Sequence, residues 1–101
     1  MATNQQLYGE IDNKADMREV FDDIRREVGA AKTRPALTEL HRRAGYLVTL
    51  TYAPSWKLKF GGDTQALRKI GMEEFHRTAK LINRKAEEIG VEADYDEYWG
   101  D

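Results

Sequence analysis

The stretch that most constrains this chain is residues 64–89, where Leu67, Ile70, Phe75, Ile82, Ala86 and Ile89 fall on one side of a 3.6-residue period. A stripe of that length must be covered by other elements along about 39 Å of helix axis. Asp63 stands where an N-cap is needed, and Gly90 followed by Val91 has the form of a Schellman ending. The spacing therefore predicts a helix over 64–89.

Two shorter segments repeat the pattern. Over 14–28, Met17, Val20, Phe21, Ile24 and Val28 share a face, with Asp12 or Asn13 as N-cap and Gly29 as a left-handed end. Over 35–52, Leu37, Leu40, Ala44, Leu47, Val48 and Thr51 share a face, while Tyr46, Leu50 and Ala53 lie opposite. A helix apolar on two sides is central in a bundle or presents a partner surface. Pro35 suits the first turn of this helix, and Pro54 stops it. Between the second and third helices, Trp56-Lys57-Leu58-Lys59-Phe60 alternates apolar and basic residues with the period of a strand and ends in Gly61-Gly62. It reads as an extended connector whose aromatic side covers one end of the bundle.

The expected fold is all-α: an antiparallel bundle of three principal helices, with an extended connector between helices two and three. One helical domain spans 1–101, with an N-terminal arm over 1–12 and an acidic aromatic tail over 92–101. The third helix is longer than the other two. Its overhang must be covered by the tail, by the connector or by a second subunit, so a homodimer is one expectation.

Composition excludes several classes of function. The chain has no cysteine, which removes disulfides, thiolate zinc, iron–sulfur clusters and a cysteine nucleophile. No run of about 18 apolar residues is available to span a membrane. The residues 1–6 form neither the basic nor the apolar region of a secretory signal, and the expected setting is cytoplasmic.

The net charge of −2 conceals segregation. Residues 1–24 hold six acids and two bases; residues 25–85 hold fourteen bases and five acids; residues 86–101 hold seven acids and no base. This pattern supplies the first functional expectation: a non-enzymatic binding protein that meets nucleic acid or another polyanion. Arg42 and Arg43 on helix two, Lys57 and Lys59 beside the aromatic residues of the connector, and Lys69, Arg77, Lys80 and Arg84 on helix three are the candidate contacts. Glu73 interrupts the last group. An adaptor or regulator is the second expectation, with Tyr46, Leu50 and the tail aromatics Tyr95, Tyr98 and Trp99 as its partner surface. The tail can also fold back onto its own bundle.

Catalytic signals are weak. Gly61-Gly62-Asp63-Thr64 lacks the lysine and spacing of a phosphate loop and reads as a plain helix start. Ser55 is the only serine and has neither histidine near it in sequence. Glu73 and His76 have the Glu-x-x-His step of di-iron bundles, yet both fall outside the buried stripe, and a metal cage needs ligands that point inward. No metal, cofactor or catalytic residue is expected. Glu74 does fall on the buried stripe, and His41 flanks the buried face of helix two. These two define a lesser alternative, a polar small-ligand or enzymatic pocket, against an ion pair from Glu74 to Arg77 or Lys85.

Overall fold

The computed structural model describes residues 11–99, so residues 1–10 of the expected arm and the last two residues of the tail lie outside the described part. Four helices occur in it: α1 (Lys14–Ala30), α2 (Arg34–Leu50), α3 (Pro54–Phe60) and α4 (Thr64–Ile89), the last preceded by a single 3-10 turn over Gly61–Asp63. Among the described residues there is no strand, and no helix is long and apolar enough to cross a membrane.

The architecture is the expected all-α bundle. Met17 lies beside Gly71, Arg25 reaches Glu74 and Thr78, and Lys85 reaches Gly29, so α1 runs parallel to α4. Val48 meets Gly71, and Arg68 reaches the carbonyl of Thr51, so α2 runs antiparallel to α4. The core is a single cluster in which Phe21 and Ile24 of α1, Leu47 and Val48 of α2 and Leu67 and Ile82 of α4 are fully buried. Gly71 sits where the three helices meet, and an added Cβ would stand 3.0 Å from Met17 Cε and 3.8 Å from the Val48 backbone. Its missing side chain is what lets α4 approach both neighbours.

Local chemistry explains most helix ends. Asn13 Oδ1 accepts from the Asp16 amide at 2.8 Å, while Asp16 Oδ2 accepts from the Asp12 amide at 3.0 Å, a reciprocal cap. Thr33 caps α2 through the Ala36 amide, with Pro35 in the first turn. The Schellman ending holds: Gly90 takes φ 79°, and the Val91 amide donates to the Ala86 carbonyl at 2.9 Å. Two ends differ from expectation. Helix α1 continues past Gly29 and leaves through Ala31 in an extended conformation, because the buried Ala31 donates back to the Val28 carbonyl. Asp63 precedes α4 without a side-chain cap, since the 3-10 turn already delivers the chain in helical conformation.

The connector is the main correction. Residues 56–60 are helical, within α3, and not extended. Pro54 pre-sets the first helical turn, and Trp56 and Phe60 then meet at helical spacing, with ring centroids 4.7 Å apart. Trp56 is fully buried and Leu58 is 89% exposed. A strand would have put both on one face. Positions 56 and 60 satisfy either period, and tertiary packing of one large aromatic ring decides between them.

The length mismatch of α4 is absorbed within the chain. Near its start, Lys59 of α3 donates to the Ile11 carbonyl at 2.7 Å, which ties the buried Ile11 to that end. Near its finish, residues 91–99 turn back along α4. A second subunit is therefore not needed to cover the overhang.

The helical connector is open to test by thermal unfolding. Trp56→Ala should lose about 3–5 kcal/mol, and Leu58→Ser should stay within about 0.5 kcal/mol of the parent. Comparable losses at both positions would restore the strand reading.

Candidate functional site

Two surfaces emerge from this arrangement, and the charged residues divide between them. Both lie on α4, whose exposed arc is bounded by the α2 side and the α1 side.

The first surface is the outer arc of α4. At about 100° per residue, Lys69, Lys80, Arg84 and Arg77 fall within about 80° of one another and span about 22 Å along the axis. All four are exposed. Lys69, Lys80 and Arg84 have no ion-pair or hydrogen-bond partner among the described residues, and Arg77 reaches Glu74 at 3.6 Å. Glu73 stands within the arc, and Glu87 and Glu88 follow it.

The remaining basic candidates are placed differently. Lys57 is exposed and free among the described residues. Lys59 binds the Ile11 carbonyl, the Asp12 carboxylate at 3.3 Å and the face of Phe60. Arg42 is held by Glu39, and the hydrogen bond from its guanidinium keeps the Glu39 carboxyl below its usual range. Arg43 corrects the sequence reading outright: it points inward, is 5% exposed and pairs with Glu27 of α1 at 3.0 Å. Arg43 lies three and four residues from Leu40 and Leu47, so the α1 contact that buries them buries it too.

The second surface is the groove between α2 and α4, into which the tail folds. Five hydrogen bonds run from helix side chains to the main chain of residues 92–97. Arg34 donates to the Glu92 carbonyl at 2.9 Å. Asn83 accepts from the Tyr95 amide at 3.0 Å and donates to the Tyr95 carbonyl at 2.7 Å. His41 Nε2 donates to the Asp96 carbonyl at 2.8 Å, and His76 Nδ1 donates to the Glu97 carbonyl at 2.9 Å.

Side chains of the tail anchor it further. Arg34 pairs with Asp94 at 3.0 Å and Glu92 at 3.5 Å. Tyr95 shares its hydroxyl with Thr38 and donates to the Arg34 carbonyl. Tyr98 stacks on His76 with centroids 4.3 Å apart, and Trp99 meets Phe75 edge-on at 5.8 Å. Trp99 lies over Gly45, where an added Cβ would stand 3.4 Å from the ring, at the near edge of ordinary contact.

This changes the expected partner surface. Tyr95 and Trp99 are engaged within the chain, while Tyr98 remains 72% exposed. Tyr46 lines the groove beside Trp99. Leu50 is buried, because it follows Leu47 by three residues and joins the same core row.

The pocket expected around Glu74 and His41 does not form. Glu74 is buried and turns toward α1, where Arg25 donates to it at 3.3 Å. His41 turns to the tail, between Phe75 and Tyr95. The expected pair with Arg77 is present, but Lys85 goes to the Gly29 carbonyl and Glu88 instead. Arg25 gave no signal in sequence, because its partner lies 49 residues away. No group of three metal-ligating side chains occurs among the described residues.

No family model matches this chain, and no curated protein or solved structure matches it either. Function must therefore be argued from its own surfaces.

The inward Arg43 makes a stability prediction. Glu27→Ala strands a buried guanidinium and should lose about 1–2 kcal/mol, the half-exposed carboxylate moderating the loss. Arg43→Met removes the buried charge together with its need for a partner and should stay within about 1 kcal/mol in chemical denaturation. The reverse order would contradict this placement.

Proposed function

We propose that this protein is a non-enzymatic polyanion-binding protein, acting in the cytoplasm, whose outer α4 face meets the phosphate backbone of a nucleic acid. One observation carries the reading: Lys69, Arg77, Lys80 and Arg84 share a rigid exposed face, and no tail acid forms an ion pair with any of them among the described residues. Had the acidic end been clamped on these cations, the face would be neutral. Glu92 and Asp94 pair with Arg34 of α2 instead, and the Glu97 carboxylate accepts from Asn83.

Cations on a helix face bind phosphates by releasing condensed counterions, without reading base sequence. Lys57 lies outside this arc, and Arg42, Arg43 and Lys59 are committed to partners within the chain. Four phosphate contacts imply a log–log salt slope of about −3 to −4. The tail borders the arc, because His76 and Asn83 lie only about 20–40° beyond Lys69 on the wheel. Asp96 and Glu97 therefore act on the arc as a nearby negative field and weaken binding at low salt.

Titration of a 20-nucleotide single strand and a 20-base-pair duplex, at 50 mM and 300 mM salt, tests this. Binding at low salt, lost steeply at high salt and reduced at least tenfold by Lys80→Glu with Arg84→Glu, is the expected result. Asp96→Asn with Glu97→Gln should strengthen binding about two- to fivefold at low salt. Absence of binding to either probe at 50 mM would overturn the reading.

A further inference from the structure

The tail is bound in an unusual manner for a chain terminus. Beyond the Schellman bond of Val91, every hydrogen bond to a main-chain atom of residues 92–97 among the described residues comes from a side chain of α2 or α4. These side chains address main-chain atoms of an extended segment. Asn83 brackets one residue through both its amide and its carbonyl, as a neighbouring strand would. A groove that grips main chain in this way can hold any extended segment whose side chains suit its anchor points.

Those anchor points have a definite chemistry. Arg34, half-exposed at the mouth, accepts acids at the positions of Glu92 and Asp94. Thr38 and the Arg34 carbonyl accept a phenol at the position of Tyr95. The flat face of His76 takes an aromatic ring, and the gap over Gly45 beside Phe75 takes a large one. The groove also continues past Trp99 as a cavity of about 480 Å³, lined by Tyr46 and Thr49 along with His41, Gly45 and Phe75. That volume lies within the range of ligand-binding cavities.

The occupant is held by contacts that water competes for. The Arg34 pairs are exposed and contribute little each, and Tyr98 is mostly in solvent. A segment lacking a regular main-chain ladder belongs to the low-stability end of a fold and opens without unfolding the rest.

We propose that the α2–α4 groove is a docking site for an extended acidic peptide with aromatic anchors, supplied by a partner protein, and that residues 92–99 are its built-in competitor. This site is separate from the polyanion face and stands whether or not that face binds nucleic acid. The tether gives the tail an effective concentration of the order of millimolar, so a partner succeeds by filling the cavity beyond Trp99 as well.

The probe is a fluorescein-labelled peptide with the sequence of residues 91–101, and the host is the full chain carrying Tyr95→Ala and Trp99→Ala. Fluorescence polarisation should show saturable one-to-one binding, at least tenfold tighter than to the unaltered chain. Adding Asn83→Ala should weaken it at least tenfold, and a scrambled peptide should not bind. Circular dichroism should show the helices intact in the host. No binding to a folded host, or equal binding to host and unaltered chain, would overturn the proposal. So would loss of helicity in the host, since the tail would then belong to the core. A dimer of the unaltered chain that Asn83→Ala abolishes would assign the groove to a second copy and overturn it as well.

Discussion

A 26-residue helix flanked by two 17-residue helices cannot be covered by them alone. That constraint organises the molecule. Helix α4 is buried by α1 on one side and α2 on the other, and its close approach to both depends on Gly71. Its two ends still need cover. At the first, α3 folds against it with Trp56 inside. At the second, the left-handed Gly90 reverses the chain and sends the tail back along the α2–α4 groove. The outer arc of α4 is what remains after this coverage, and the α2–α4 groove is what the tail covers.

The covering also sorts the charges. Acidic and basic segments are separated along the chain, and attraction between them would neutralise the basic faces if it ruled the fold. Coverage wins instead, because the tail is placed by aromatic burial and main-chain hydrogen bonds. Tyr95, Trp99, Asn83 and the two histidines fix where residues 92–97 lie; Arg34 takes the carboxylates of Glu92 and Asp94, and Asn83 takes that of Glu97. Carboxylates near cations in water gain little, whereas the half-buried rings of Tyr95 and Trp99 gain more. The outer arc of α4 is left charged as a consequence of packing.

Most of the fold was legible because helices carry their own punctuation. The cap at Asn13, Pro35 and the Gly90–Val91 ending state their roles locally, and the apolar faces of α1 and α4 repeat without ambiguity. The connector was misread because positions 56 and 60 satisfy two periods, and five residues are too few to choose. The site was less legible for a different reason. Arg25 with Glu74, Arg43 with Glu27 and Asn83 with Tyr95 are pairings across the fold, and no spacing rule reports them. Asn83 did leave a faint trace, as a poor helix former in the middle of a strong helix. The histidines left another: neither suits a core or a metal, and both serve to hold the tail.

Packing, and not charge attraction, sets where the acidic tail lies, and the cations of α4 stay uncancelled. Amide chemical-shift mapping of the isotopically labelled chain, titrated with a short single-stranded oligonucleotide at low salt, tests it most directly. The largest shifts are expected at Lys69, Arg77, Lys80 and Arg84, with α1 unmoved. Shifts absent from that arc, or concentrated on another face, would contradict it.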